Sequence, residues 1–392
     1  MSEHIHVFES GKSLTALSLP FELQNIISQW DSLRRVMIRR IPEEFTREEW
    51  AYVITFLDSG NLYKHIENAF GNLQDSPIEK ASFMARPRGA VAIWLPNNVS
   101  LLGSLLVILL SLTGNRVEAK RGTRGKDLTE AFLKFAIENL PDGDLKSYLK
   151  KRVRAHSFGR DDRKNREMAS DAAVRIVFGA DETATAVHAL PHPVESIAFS
   201  FIDRRSEAWI EKRAVNEEVL VDLVKVFSIY GQAGCTSPSR VVLLDAKMEE
   251  ALDIRDKILD IWPKVVTDRV AMHVASDNIM SAQLLSASGW DVKCAPLNGA
   301  VIAVGNGTPH PSSLMTLFVV PSSLKEAVKQ LPSNAQTIGY ALTDPTDPKW
   351  LKLLSRSTIK RFVPISRMHH FGAVWDGYDF WSQLFEKVEV QL

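Results

Sequence analysis

Cysteine is almost missing from this 392-residue chain, which has only Cys235 and Cys294. Two thiols exclude a disulfide framework and fit a reducing compartment, so a cytoplasmic location is the expectation. Net charge is missing too, with 47 Lys and Arg against 47 Asp and Glu. A balanced chain exerts no overall pull on nucleic acid or an anionic membrane, so any phosphate recognition must be local. No apolar run reaches the roughly 20 residues that cross a bilayer. The longest, residues 99–112, has 14, and Ser100, Gly103 and Ser104 interrupt it. The opening MSEHIHVFES is polar where a signal peptide needs an apolar stretch. There is no GxxxxGKS/T phosphate loop, and no HExxH, GxSxG or CxxC string.

What remains is globular composition, 45% hydrophobic and 24% charged. At about 150 residues per domain the length suits two to three domains. The patterning alternates. Residues 90–95, AVAIWL, form a short apolar strand that Pro96 breaks, and residues 99–112 predict a helix buried on all sides. Gly114 ends that helix and residues 116–119 start another strand, giving a βαβ unit of the nucleotide-binding kind. Residues 127–153 are helical with a break near Pro141 and Gly143, and the polar run 150–166 reads as a surface loop or exposed helix. Strands are expected at 172–178, 197–202, 208–210, 240–244, 300–304, 317–320 and 337–342, and helices at 215–230, 247–261, 279–288 and 322–330. The fold class is therefore α/β. Its predicted parts are a dinucleotide-binding domain at 1–205, a catalytic domain at 206–365, and a segment at 366–392 that returns to the core.

Few residues stand out chemically. His188 and His192 have a metal-like spacing near Glu195, but Pro191 and Pro193 break a helix there. His369 and His370 are adjacent, so a strand would send them to opposite faces, and no metal site is expected. Gly305-Asn306-Gly307 has no third glycine in register and reads as a turn. The basic cluster at 150–166 contains Asp161 and Asp162 and no interleaved aromatics, so it reads as a solvated face. Cys235 is different. It lies in Gly231-Gln232-Ala233-Gly234-Cys235-Thr236-Ser237-Pro238, a turn of small residues between a helix and the strand RVVLL. Gly231 and Gly234 permit a tight bend and close approach of a substrate, and backbone N–H groups around the thiol can stabilise an oxyanion. Cys294, in DVKCAPL, reads as a small core residue.

Five segments together resemble the aldehyde dehydrogenase superfamily, and within it the acyl-CoA reductases typified by the fatty-acid reductase of bacterial luminescence. They are Trp94-Leu95-Pro96-Asn97-Asn98-Val99 with its helix and the strand ending at Lys120; VRIVFGADE at 174–182; GQAGCTSPSR with Arg240 five residues past Cys235; Gln336-Thr337-Ile338-Gly339-Tyr340; and Trp375-Asp376-Gly377-Tyr378-Asp379. The resemblance spans roughly residues 90 to 380 and implies a Rossmann-type cofactor domain plus an α/β catalytic domain. It also implies an activity: NADPH-dependent reduction of an acyl-CoA, or another acyl thioester, to the aldehyde. Cys235 would be the nucleophile and the Asn98 amide an oxyanion donor. Lys120 would hold the adenosine ribose, and Gly179 would lie beneath the pyrophosphate. Arg121 and Thr123 (with Arg124) stand where a neutral or basic run suits the 2′-phosphate of NADPH.

The superfamily's water-activating Glu would fall at Phe201, and its nicotinamide-ribose Glu near Pro309 or His310, so both carboxylates are missing. Asp181 and Glu182 would face a pyrophosphate and repel it unless turned away. An acyl-transferring partner protein and a homo-oligomer stay open. The competing readings are a non-redox Cys acyltransferase or thioesterase, which needs no dinucleotide, and a silent scaffold.

Overall fold

The structure is a computed structural model that describes residues 3–123, 125–202, 204–267, 269–306, 315–372 and 374–391. Arg124, Gly307, Pro309 and His310, named above, lie outside the described residues. The chain divides into two compact units, Met1–Ile202 with Gly372–Leu392, and Asp203–Phe371.

The first unit is built on a parallel sheet. Its order across the sheet is Val153–His156, Arg116–Lys120, Ala90–Trp94, Val174–Gly179, Ile197–Ile202. Taken in chain order, the strands read 3-2-1-4-5, a doubly wound arrangement. The direction of winding reverses between Ala90–Trp94 and Val174–Gly179, and the crevice beyond the carboxyl ends of two such strands is where this architecture binds ligands. The crossover after the first strand is the helix Leu102–Ser111, with all ten residues buried. Its seven Leu, Ile and Val side chains contribute about 2 kcal/mol each in apolar burial. Of its two serines, Ser104 has a buried hydroxyl with no partner among the described residues, whereas Ser111 is paired. The Ser111 hydroxyl donates to the Ile108 carbonyl at 2.6 Å and accepts from the Trp30 indole at 2.9 Å. A Cβ at Gly103 would lie 1.9 Å from Thr129 Oγ1, so glycine there is what lets the helix Thr129–Asn139 approach.

The polar run 150–166 differs from expectation. It contains the end of the helix Asp144–Arg152, the sheet strand Val153–His156 and the start of the helix Lys164–Asp171. Val153–His156 is an edge strand, so only Val153 needs to be buried and its charged neighbours hide the pattern. A second sheet in this unit orders Phe385–Glu389, Phe83–Pro87, Ser13–Leu19, His4–Ser10 and Asn72–Gln74.

The second unit has a seven-stranded sheet in the order Asp291–Cys294, Val301–Val304, Thr316–Ser322, Pro238–Leu244, Arg205–Glu211, Ala335–Ala341, Arg361–Pro364. All pairs are parallel except the edge strand Asp291–Cys294. Fully buried aliphatic runs such as Val241 to Leu244 are what a sheet covered on both faces requires. Helices Glu217–Ser228 and Met248–Val265 pack into the same apolar core as this sheet. Cys294 is half-buried on the edge strand, where burial pushes its thiol pKa up and keeps it protonated. No described helix is long and apolar enough to cross a membrane.

Candidate functional site

Five of the six residues singled out from sequence gather along the carboxyl edge of the first unit's parallel sheet. Asn98 follows the first strand, Lys120 ends the second with Arg121 and Thr123 just beyond it, and Gly179 ends the fourth. The loop carrying Arg121 and Thr123 is pressed onto the Asn97 turn. A Cβ at Gly122 would sit 2.2 Å from Asn97 Oδ1, and one at Gly125 would sit 2.2 Å from the Asn97 carbonyl oxygen. Gly125 also has φ +86°, so its backbone and its surroundings both demand glycine.

Glu49 fixes the same region from below. Its carboxylate accepts from Ser100 Oγ and Lys126 Nζ, both at 2.6 Å, and from the Thr46 N–H at 2.9 Å. Burial works to raise the Glu49 pKa, but these hydrogen bonds outweigh it and hold the carboxyl below its ordinary value. The capping box at the start of Arg47–Phe56 thus ties both ligand-edge loops to a helix.

Lys120 is half-buried. Its ammonium donates to the Arg121 carbonyl at 3.3 Å and lies 5.6 Å from the centre of the Phe158 ring. Burial lowers its pKa, and it has no carboxylate partner among the described residues. Lys164 stands 5.9 Å from the same ring, a second cation that sequence reading assigned to a solvated face. Thr123 and Asn98 are exposed and Arg121 is half-buried. At Gly179, φ +145° requires glycine, and the nearest atom to a Cβ there, on Thr183, is 3.6 Å away. The helix Asp181–His188 that follows has no side-chain cap, and both leading carboxylates, Asp181 and Glu182, are exposed. The open glycine turn, uncapped helix start and carboxylate-free ammonium suit a dinucleotide, whereas Asp181 and Glu182 in the first turn of the helix oppose its pyrophosphate.

Phe201, where the resemblance would put the water-activating carboxylate, is buried in an aromatic cluster. It stacks on Phe178 at 4.8 Å and lies 4.6 Å from Trp375 and 5.8 Å from Phe380. Residues 374–379, which contain the fifth resembling segment 375–379, form a hairpin with Asp376 at φ +49° and Gly377 at φ +85°.

Cys235 belongs to the second unit, in the turn before the strand Pro238–Leu244. It is exposed and forms no disulfide. Its neighbours are tethered at several points. Ser206 Oγ donates to the Cys235 carbonyl at 2.7 Å, and the Ser237 N–H donates to the Gly234 carbonyl at 2.9 Å. The Gln232 side chain donates to the Thr316 carbonyl at 2.7 Å and accepts from the Thr316 N–H at 2.9 Å, as a strand neighbour would. Thr236 Oγ1 bonds His369 Nδ1 at 2.6 Å. Arg240, next along the strand, is almost fully buried and pairs with Glu207 at 2.8 Å, while Glu207 also accepts from the Trp209 indole at 2.9 Å. Sequence reading missed Ser206 and Glu207 and weighed His369 only as a metal ligand, because their partners Cys235, Arg240 and Thr236 are distant in the chain.

No group of three or more His, Cys, Asp or Glu able to hold a metal occurs among the described residues. His188 bonds Ser200 Oγ at 2.6 Å instead, and His192 the Pro193 carbonyl at 2.9 Å.

A family model described as "Acyl-CoA reductase (LuxC)" matches residues 23–385. The chain belongs to the LuxC acyl-CoA reductase family. It is accordingly an enzyme of aldehyde-forming oxidoreduction.

Solved structures share the LuxC-family chain's fold at low identity. An NAD-dependent aldehyde dehydrogenase from Sinorhizobium meliloti has a TM-score of 0.64 at 12% identity, covering 94% of this chain and 82% of that one. A succinic semialdehyde dehydrogenase from Streptococcus pyogenes in complex with NADP+ gives 0.64 at 11%, covering 94% and 90%. An oxidoreductase from Marinobacter aquaeolei gives 0.66 at 10%, covering 95% and 86%. Among the curated proteins none matches. The fold is that of the aldehyde dehydrogenases, as the resemblance implied.

Proposed function

We propose that this LuxC-family enzyme reduces an acyl-CoA, or another acyl thioester, to the aldehyde with NADPH through a thioester on Cys235. The observation that carries the proposal is an exposed cysteine in a turn tethered on several sides, in a chain of the acyl-CoA reductase family. In this reading residues 1–205 bind the dinucleotide and residues 206–365 carry the nucleophile.

The Cys235 thiolate attacks the substrate carbonyl. The new C–S bond forms as the bond to coenzyme A breaks, and the departing thiolate takes a proton from solvent. Exchange of one thioester for another is close to isoenergetic, so sulfur is the suitable nucleophile. The Cys235 backbone N–H donates to the oxyanion, a contact worth about 3 kcal/mol of barrier. A reduced nicotinamide, when bound, supplies the hydride that converts the acyl carbon to the aldehyde level. Cys235 then leaves as thiolate and the aldehyde departs.

Lys120 holds the adenosine ribose through its carboxylate-free ammonium, and Gly179 and the uncapped helix behind it receive the pyrophosphate. Arg121 and Thr123, with Lys164 beside Phe158, offer positive charge and a hydroxyl to a 2′-phosphate, which favours NADPH over NADH. Phe201, where the family resemblance would put the water-activating carboxylate, is an aromatic residue that cannot act as a base, which disfavours a thioesterase.

Mass spectrometry of the protein after exposure to a panel of acyl-CoAs, with and without NADPH, tests the mechanism. Acyl adducts should accumulate without NADPH, disappear with it, and never form on Cys235→Ala. A Cys235→Ala enzyme that makes aldehyde at the parental rate would refute the assignment.

A further inference from the structure

One imidazole staples both ends of the segment that carries Cys235. The helix Glu217–Ser228 ends just before the turn, and the carbonyls of its last residues have no partner within the helix. One of them, Val226, accepts from His369 Nε2 at 2.8 Å. The other ring nitrogen, Nδ1, faces Thr236 Oγ1 at 2.6 Å. A carbonyl can only accept, so Nε2 carries the hydrogen. Burial pushes the His369 pKa down to about 4, so the ring is neutral at physiological pH. Nδ1 is then an acceptor, and the Thr236 hydroxyl donates to it. The tautomer is thus set at one end by the helix and read at the other by the residue after Cys235.

His369 is itself held from behind. Arg361 donates to the carbonyls of Met368 at 2.9 Å, Arg367 at 3.3 Å and His370 at 2.7 Å. Met368 seats against Gly339 of the strand Ala335–Ala341, where a Cβ would lie 2.3 Å from its sulfur. A chain of contacts therefore runs from the sheet through Met368 and His369 to Thr236.

We infer that His369 is a positioning residue for acyl transfer: through the Thr236 hydroxyl it fixes the turn that presents Cys235 to the thioester carbonyl. The inference rests on the reading of Cys235 as nucleophile and extends it to a residue that never touches substrate. A helix cap alone would explain the bond to Val226 but gives no reason for the bond to Thr236.

The two roles separate by substitution. Thr236→Val leaves the imidazole on Val226 and cuts only the link to the turn, whereas Thr236→Ser keeps the hydroxyl. His369→Asn places an amide oxygen near the position of Nδ1 but falls short of Val226, and His369→Ala removes both bonds. Single-turnover acylation by octanoyl-CoA is the readout, with alkylation by iodoacetamide reporting thiol access. Thr236→Val is expected to acylate about 10-fold more slowly, since misplacement of the order of 1 Å can cost about 100-fold. Its iodoacetamide rate and its KM for octanoyl-CoA should stay within about twofold of the parent. Thr236→Ser should recover most of the acylation rate, and His369→Asn should exceed His369→Ala even though both lose the helix cap. Should His369→Ala fail to fold, the Thr236 pair decides. Parental acylation by Thr236→Val, or His369→Asn no better than His369→Ala, overturns the inference. A parent protein that takes up no octanoyl group overturns this inference and the reading of Cys235 together.

Discussion

Replacing Glu207 by Leu tests whether the strand behind Cys235 depends on a buried charge. Glu207 and Arg240 are 4% and 3% exposed, face each other from paired parallel strands, and meet at 2.8 Å. Beyond the carboxylate, among the described residues the guanidinium bonds only the Gln330 amide oxygen at 3.0 Å, and its Nε has no partner. Removing Glu207 strands a cation in a hydrocarbon layer and leaves the Trp209 indole without its acceptor. Breaking a buried pair from one side costs about 3–5 kcal/mol. Taking about 4 kcal/mol, and 2–4 °C per kcal/mol for a unit of this size, the transition should fall by about 8–16 °C.

The double variant Glu207→Leu with Arg240→Met removes both charges and should regain much of that loss, because desolvation of the pair no longer has to be offset. Differential scanning calorimetry at pH 7 reads both. A fall of less than about 3 °C in the single variant would show that the pair behaves like an exposed one. A double variant as unstable as the two single losses summed would refute the stranded-charge account.

Three other outcomes follow from the same geometry. Gly125→Ala forces a Cβ to within 2.2 Å of a backbone oxygen at φ +86°, so it should cost about 1–3 kcal/mol in urea unfolding and weaken NADPH binding more than acylation. Glu49 has a depressed carboxyl pKa, so its contribution is complete above the unfolded value near 4.5 and lost as pH falls through the lower folded value. Glu49→Gln should therefore destabilise by about 2 kcal/mol at pH 7 and by progressively less below pH 4.5, as chemical denaturation across pH would show. Lys120→Met removes a half-buried cation at the cofactor edge and should raise the NADPH dissociation constant about 10-fold in a fluorescence titration, with Cys235 alkylation unaffected.

Much of the first unit's candidate cofactor edge was legible along the chain because its signals are local. The strand that Pro96 breaks, the buried helix and the strand ending at Lys120 follow within about thirty residues, and short-range periodicity encodes them. Gly122 and Gly125 look like ordinary loop glycines in sequence, and only the proximity of Asn97 shows why they are glycine. The edge strand Val153–His156 stayed hidden, since an edge position tolerates charge on most of its residues.

The sequence by itself determined the α/β alternation, the exclusion of disulfides, the buried helix and the exceptional setting of Cys235. These depend on residue type and near-neighbour spacing, which a linear string contains. Only tertiary structure decided that Arg240 balances Glu207 across 33 positions, and that Thr236 is read by a histidine 133 residues away. A hydrogen bond depends on distance and direction in space, and chain folding sets both without leaving a periodic trace.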